Sequence, residues 1–166
     1  MIRWPLIIIL SLIQSGVLDE ASAESLNKYG VYVYFPGDYI KDGDIGNEAI
    51  KVSGVAAETY SFRDKYGLYA LTFLRFSSIP KGTLEIGMEG AVHGVGGKLK
   101  DYRYLKINGY TVLEYEYTQS RYFGKDIHYL ERNFFIDKKM IVNVKYVGYE
   151  SGISIGNNFL RSLKIE

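Results

Sequence analysis

The chain of 166 residues has no cysteine, only two histidines and only three prolines. Without cysteine it cannot form disulfides, use a thiol in catalysis or hold zinc through thiolates. His93 and His128 are far apart in the sequence, and neither has a second ligand residue at the spacing of a metal site. The sequence therefore predicts no transition-metal centre and no cofactor.

The chain also has almost no excess of one charge over the other, because 20 basic and 19 acidic residues leave a formal net charge of +1. Such a small charge does not steer a protein to nucleic acid or to an anionic membrane. Hydrophobic residues make up 47% of the chain, which suits one domain with its own core. Tyrosine occurs 16 times and favours strands and half-buried surfaces, so the composition predicts a sheet-rich domain.

No apolar run in the sequence is long enough to span a bilayer, which takes about 20 residues. The run Pro5–Ile13 follows the basic Arg3 and precedes the small residues Ala21, Ser22 and Ala23. This order is typical of a secretory signal peptide with its cleavage site. The alternative is that the run forms a buried strand at the N-terminus.

The signal-peptide interpretation predicts that residues 1–23 are removed by cleavage between Ala23 and Glu24. The remaining single domain, residues 24–166, is then exported and is periplasmic or secreted. No cysteine follows the apolar run, which excludes lipid attachment through an N-terminal cysteine. We therefore expect the exported domain to have no transmembrane span.

Alternation of apolar residues predicts strands separated by turns through most of this domain. Val31, Val33 and Phe35 alternate in the first strand, which stops at Pro36-Gly37. A second pair of strands turns at Arg63–Lys65. The predicted strands lie within residues 29–35, 48–64, 65–77, 98–107, 110–119, 125–136 and 140–149.

Two segments have helical spacing instead. From Pro80, a suitable first helical residue, Leu84, Met88, Ala91 and Val95 recur at the helical period, although two glycines weaken this helix. The second helix is short, with Ile155, Phe159 and Leu160 facing inward, and is followed by a strand-like tail at 163–165.

The order of these elements predicts an α+β fold, an antiparallel sheet with helices packed on its faces. Asn108-Gly109 is the strongest hairpin pattern in the chain, and a further turn is expected at Asp137–Lys139. No repeat, linker or low-complexity stretch divides the sequence, so we expect one domain.

Four stretches of sequence resemble the PsbP-like superfamily over residues 29–166. They are VYVYFPG at 31–37, INGYTVLEYEY at 107–117, RNFFIDKKMIVNVKY at 132–146 and NNFLRSLKI at 157–165, together with a helix after the third strand. This superfamily includes the photosystem II extrinsic protein and the Ran-binding import factor Mog. The resemblance implies an α/β/α sandwich, and an exported bacterial-type member that works by binding other proteins. It supplies no binding residue that can be transferred to this chain.

Five glycines precede Lys98 in the stretch GMEGAVHGVGGKLKD, residues 87–101. The stretch is not a Walker loop, because Leu99 follows the lysine and Val92 stands at the position of the first glycine. A dinucleotide fingerprint that starts at Gly94 also fails at Leu99. Moreover, the loop leads from a helix into a strand, whereas phosphate binds at helix N-termini. The sequence therefore predicts no nucleotide binding.

Other groups of residues are weak as functional sites. Asp42 and Asp44 lie in a polar turn that leaves a loose calcium site open, although Ser53 occupies the position where an EF-hand needs glutamate. Glu114 and Glu116 share one strand face and are more simply solvent-facing residues than a pair of glycosidase carboxylates. Neither histidine accompanies a nucleophile-elbow sequence.

One stretch remains as a candidate binding surface. In KLKDYRYLK, simple alternation puts five basic and tyrosine side chains on one face of a strand: Lys98, Lys100, Tyr102, Tyr104 and Lys106. This pattern resembles platforms for nucleic acid or glycans, although an exported protein seldom meets nucleic acid. A lysine-protected edge strand is the simpler interpretation.

These observations predict a non-enzymatic, exported domain that binds a protein or another component of the cell envelope. The alternative is a small extracytoplasmic hydrolase whose serine, histidine and carboxylate come together only in three dimensions. A deep pocket with a perturbed titratable group would favour the hydrolase, whereas an exposed apolar or tyrosine patch would favour binding.

Overall fold

The computed structural model describes residues 24–41, 55–120 and 124–166. These residues form ten strands and two α-helices. The strands are β1 (Glu24–Lys28), β2 (Val31–Phe35), β3 (Ile40–Lys41), β4 (Val55–Arg63), β5 (Gly67–Phe76), β6 (Lys98–Ile107), β7 (Tyr110–Gln119), β8 (Ile127–Phe135), β9 (Met140–Gly148) and β10 (Lys164–Ile165). The helices are α1 (Thr83–Gly94) and α2 (Ile153–Ser162), and a 3-10 turn, Glu150–Gly152, precedes α2.

Seven strands form one antiparallel sheet in the order β3-β4-β5-β9-β8-β7-β6. The part from β6 to β9 is the expected four-strand meander. In the described part of the chain, β6 and the two-residue β3 are the edge strands of this sheet. The α+β prediction is confirmed.

The two helices cover opposite faces of the large sheet. Leu84 and Met88 of α1 pack against Tyr115 and its neighbours on one face. On the other face, Phe159 and Leu160 of α2 join the principal core. The inward orientation predicted for these two residues of α2 is confirmed, since each is 2% exposed.

A small second sheet, in the order β1-β2-β10, completes the layer beside α2. The predicted alternation in β2 is confirmed, because Val31, Val33 and Phe35 are fully buried. Ile165 of the tail pairs with Val31, so the end of the chain is tied to its first buried strand. Sequence patterns did not predict β1, whose only buried residue is Leu26.

Glu58 connects the small sheet to the large one. Its carboxylate accepts hydrogen bonds from Lys28 Nζ of β1 (2.5 Å) and from the Tyr60 hydroxyl (2.8 Å), and it forms an ion pair with Lys41 Nζ (2.8 Å). Burial would raise the pKa of Glu58, but these bonds outweigh it and lower the pKa to about 2. The carboxylate is therefore ionised at neutral pH.

The turns agree with their predicted chemistry. Asn108 (φ 50°) and Gly109 (φ 85°) both have positive φ, and the flanking residues Ile107 and Tyr110 pair, as in a type I′ hairpin. At the turn between β4 and β5, Asp64 Oδ1 accepts hydrogen bonds from the backbone N–H groups of Tyr66 and Gly67.

The bounds of α1 differ from the prediction. The helix begins at Thr83, not at Pro80, because Gly82 has a φ of 80° and cannot belong to a right-handed helix. Pro80 instead accepts hydrogen bonds from the backbone and the side chain of Thr83. The helix ends at Gly94, so Val95 lies just outside it.

Candidate functional site

The strand β6 is the long, open edge of the large sheet. Its outer side pairs with no other strand in the part of the chain that the structure describes. Seven of its ten residues are exposed. Natural strands are mostly about 5–6 residues long, and edge strands are often shorter. With ten residues, β6 is therefore longer than a typical edge strand.

Tyr102, Tyr104 and Lys106 lie at alternate positions in the regular part of β6. They share the face of the sheet on which α1 lies, because Tyr102 pairs with Tyr115 of the α1-side core. Tyr102 is 53% exposed and Tyr104 is 46% exposed. This part of the predicted lysine–tyrosine surface is present as a continuous row.

A β-bulge interrupts β6 between Leu99 and Asp101. The extra residue shifts the alternation, so Lys98, which pairs with Thr118, lies on the opposite face of the sheet. Lys100 is the extra residue itself. The prediction that all five side chains share one face is therefore wrong for Lys98, because simple alternation cannot reveal a bulge.

Helix α1 contacts this row through one residue and carries an exposed apolar residue next to it in the sequence. The Tyr104 hydroxyl donates a hydrogen bond to Glu85 of α1. The next residue, Ile86, is 66% exposed. Burial, together with the bond to Glu85, raises the pKa of Tyr104 to about 12, while the same bond lowers the pKa of Glu85. We call Tyr102, Tyr104, Lys106 and Ile86 the β6–α1 surface.

The opposite face of β6 is fixed by an ion-pair row. Glu114 of β7 lies between Arg103 and Arg132, and its carboxylate accepts hydrogen bonds from both guanidinium groups at 2.5–2.8 Å. Burial would raise the pKa of Glu114, but the two arginines lower it overall. Glu114 is therefore a structural residue of the sheet, and its predicted solvent-facing position is wrong, since Arg103 and Arg132 cover it.

Beneath α1, the sheet contains a buried polar network centred on Glu131, which is 3% exposed. Its carboxylate accepts hydrogen bonds from the hydroxyls of Tyr115 and Tyr117 (both 2.7 Å) and from Asn143 Nδ2 (2.9 Å). Lys145 Nζ lies 2.7 Å away and forms an ion pair. Burial opposes ionisation of Glu131, but Lys145 and these donors lower its pKa overall.

A cavity of about 280 Å³ separates α1 from this network. Gly87 and Ala91 face it from the helix, and Asn133 and Asn143 face it from the sheet. A Cβ atom added at Gly87 would meet no atom within 4 Å. Helix α1 is therefore held mainly through Leu84 and Met88 and leaves space in the middle of its length.

Comparison with known proteins identifies the architecture. No family model and no curated protein matches the chain. Among solved structures, cyanobacterial PsbP (CyanoP) from Synechocystis sp. PCC 6803 is similar, with a TM-score of 0.59 over 93% of this chain and 99% of that chain. This chain has a PsbP-like fold. The two sequences are 16% identical, so the likeness establishes the fold alone.

A second solved structure, from Bacteroides thetaiotaomicron VPI-5482, has a TM-score of 0.52 and 9% identity over 87% of this chain. This chain spans 48% of that one, about half its length. The resemblance to PsbP-like proteins that the sequence predicted is thus confirmed at the level of the fold.

The glycine stretch of this PsbP-like domain is a helix end. Gly96 has a φ of 64°, and its N–H donates to the carbonyl of His93 (2.9 Å). The N–H of Gly97 donates to the carbonyl of Val92 (2.8 Å). Because these two amides already close the C-terminus of α1, they do not point at an anion.

One of the two histidines lines an open cavity of about 620 Å³. His128, Asp126 and Ser151 face this space. The Asp126 carboxylate accepts a hydrogen bond from Ser120, and His128 Nδ1 lies 3.7 Å from Glu116. Within the described residues, His128 Nδ1 has no hydrogen-bond partner. The geometry of a serine–histidine–carboxylate triad is therefore not formed among these side chains.

Several predictions lie outside the described residues. They concern the signal peptide at 1–23 and the loose calcium site near Asp42 and Asp44. In the described ranges, no cluster of three or more metal-ligating side chains occurs. Likewise, neither described helix has the length and hydrophobicity needed to cross a membrane.

Proposed function

We propose that this PsbP-like domain is a non-catalytic accessory module that acts outside the cytoplasm and binds another protein through the β6–α1 surface. The observation that carries the proposal is the exposed row of Tyr102 and Tyr104 on an open edge strand, together with the exposed Ile86 of α1. Tyrosine is enriched at protein interfaces because it offers a large apolar ring and a polar hydroxyl together. Export is supported by the order of residues in the first 23 positions of the sequence.

The non-catalytic part of the proposal is supported by the ion-paired carboxylates. Glu58, Glu114 and Glu131 each have a lowered pKa, and each is held by cationic groups. A general acid or base works best with a pKa near the working pH, usually from a raised carboxyl pKa. These carboxylates have the opposite shift, which suits structural ion pairs.

Site-specific photo-crosslinking tests the binding surface. A photoreactive phenylalanine analogue is placed at Tyr104 or at Ile86, and in a control variant at Tyr34 of the small sheet, which is 48% exposed. In the native envelope, we expect the first two variants to form the same discrete protein adduct and the control to form none. Equal adducts from all three positions, or none from Tyr104 and Ile86, would contradict the proposal.

Nucleotide binding provides an independent test of the non-enzymatic proposal. We expect millimolar ATP, GTP, NAD or FAD to leave the melting temperature unchanged, because a ligand stabilises only the state that it binds. The Lys98→Ala variant should behave like the wild type. A saturable rise of several degrees that is lost in Lys98→Ala would instead support a nucleotide-dependent enzyme.

A further inference from the structure

We propose that the partner contributes an extended acidic segment, which adds as a new strand to the free edge of β6. This inference rests on the proposed function and specifies how the β6–α1 surface is occupied. Strand addition uses backbone hydrogen bonds for affinity and alternate side chains for selection.

The backbone of β6 offers a regular edge. The bulge ends at Asp101, and from there to Ile107 the pairing with β7 has no further irregularity. One edge of these seven residues bonds to β7, and the other pairs with no strand in the described residues. In an antiparallel strand, alternate residues direct their N–H and C=O groups to opposite edges. The outer edge of this stretch therefore presents donors and acceptors in strand geometry.

The other edge of the large sheet differs. There β3, within the part of the chain that the structure describes, consists of Ile40 and Lys41, and both pair with β4. Very short edge strands are one way in which proteins prevent strand addition. Of the two edges as the described residues form them, only β6 has the length to accept a segment of six or more residues.

The charge on β6 decides between possible occupants. The strand has four basic residues and one acidic residue, a formal charge of +3: Lys98, Lys100, Arg103, Lys106 and Asp101. In the described ranges, Lys98 and Lys100 belong to no ion pair, since the pairs formed there involve other cations. A second copy of β6 would bring two such strands together and be repelled, whereas an acidic strand would be attracted.

The side chains of β6 also indicate the pattern of the added strand. Tyr102 and Tyr104 lie on the α1 face and are half exposed, so alternate apolar residues of the partner would pack beside them. Lys106 continues this row, and its Nζ is held by Thr111 at 2.7 Å. A partner strand with two alternate apolar residues followed by an acidic residue would therefore match Tyr102, Tyr104 and Lys106. Lysines that protect the edge against self-association select an acidic partner at the same time.

The test uses a synthetic peptide whose sequence is based on β7, the strand that already pairs with β6. The peptide, YEVLEYEYEQ, is β7 with Thr111→Glu and Thr118→Glu, so it has four glutamates, and apolar residues alternate with glutamates from Leu113 onward. One control peptide has lysine in place of the four glutamates. Another carries N-methyl groups on alternate amides, which removes backbone donors on one edge.

Amide hydrogen exchange of the purified protein is the readout, because strand addition protects backbone N–H groups that side-chain contact would leave exposed. We expect the acidic peptide to slow exchange at least tenfold at alternate amides of Asp101–Ile107, and to leave β9 unchanged. Neither control peptide should do so. Absence of this protection, or equal protection by the lysine peptide, would overturn the proposal.

Charge-reversal variants test the selection. Lys98→Glu with Lys100→Glu should weaken binding of the acidic peptide about tenfold at low salt. The matched control is Lys138→Glu with Lys139→Glu, at the exposed turn between β8 and β9, which changes the net charge equally and should bind like the wild type. Equal loss in both variants would mean that only overall charge matters, and would overturn selection at β6. Melting curves confirm that both variants fold.

The peptide experiment and the crosslinking experiment have distinguishable negative results. If Tyr104 crosslinks a partner but no peptide protects β6, the binding surface is retained and strand addition is rejected. If protection of β6 rises with protein concentration alone, the occupant is a second copy of the chain, and the acidic-partner proposal is rejected. If the peptide protects β6 but no adduct forms in the envelope, the proposed function is rejected while the edge remains competent for strand addition.

Discussion

The two helices lie on opposite faces of one sheet and contain glycine for opposite reasons. In α2, a Cβ added at Gly156 would lie 2.4 Å from Cγ of Tyr146, a contact that no real structure tolerates. In α1, a Cβ added at Gly87 or Gly90 would meet no atom within 4 Å. Glycine is therefore required for close packing in α2, whereas in α1 it leaves space unfilled.

The same contrast extends to what lies under each helix. Among the described residues, the cluster on the α2 side has 17 buried hydrophobic residues and the cluster on the α1 side has eight. On the α1 side, the Glu131 network takes the place of part of a packed core. The comparison indicates that the α2 face supplies most of the stability and that the α1 face is the less tightly packed of the two.

The largest expected effect tests whether the network supports the α1 face. Glu131→Gln removes the charge that Lys145 and three hydrogen-bond donors hold in a buried position. Breaking a buried ion pair on one side typically costs about 3 kcal/mol or more. We expect a loss of about 3 kcal/mol in the free energy of unfolding, measured by urea denaturation.

The control for this variant is Glu89→Gln on the exposed side of α1, which should change the free energy of unfolding by less than about 0.5 kcal/mol. A Glu131→Gln variant as stable as the wild type would show that the network is dispensable. The α1 face would then depend on its hydrophobic contacts, chiefly those of Leu84 and Met88.

The next effect tests the packing of α2. Gly156→Ala forces a methyl group against the fully buried ring of Tyr146, so either the helix or the ring must move. Overpacking of a core costs about 1–3 kcal/mol. We expect a loss of about 2 kcal/mol despite the better helix propensity of alanine, measured by chemical denaturation. A stabilised variant would show that α2 is as loosely placed as α1.

A smaller effect concerns pH and the attachment of the small sheet. The pKa of Glu58 is lowered to about 2, below its ordinary value of 4.5. Its ion pairs therefore stabilise the fold above pH 4.5, and this contribution is lost as the pH falls from 4.5 towards 2. Because Lys41 is mostly exposed and screened, we expect about 1 kcal/mol.

The measurement is the free energy of unfolding as a function of pH in the wild type and in Glu58→Gln. The variant should be less stable at neutral pH and should lose less stability on acidification. Parallel curves for the two proteins would show that Glu58 does not link the two sheets energetically.

The smallest effect has the opposite sign. Gly87→Ala should stabilise the domain by about 0.5–1 kcal/mol, because alanine favours the helix and the new methyl group meets open space. Gly96→Ala is the contrasting variant, since its φ of 64° is strained for alanine, and it should destabilise. Thermal melts compare the two. Destabilisation by Gly87→Ala would show that α1 needs its glycine as α2 does.

Local patterns predicted much of this fold. Alternation of Val31, Val33 and Phe35 identified a buried strand, and Asn108-Gly109 identified a hairpin, because both depend on neighbouring residues only. The start of α1 was misplaced, since Pro80 suits a first helical turn as well as the turn that it forms. The prediction that five lysine and tyrosine side chains share one face of β6 was partly correct. The bulge at Lys100 was missed because its cause lies in the pairing with β7.

By itself, the sequence determined which segments become strands and helices, where the hairpin turns, and which chemistries lack their residues. These follow from side-chain periodicity and backbone preference, which act over a few positions. Only the tertiary structure decided that Glu58 and the buried Glu131 become ion-paired centres, that the tail joins β2, and that β6 is left at the edge of the described sheet. Each depends on residues distant in sequence, and no local pattern encodes which strand remains unpaired.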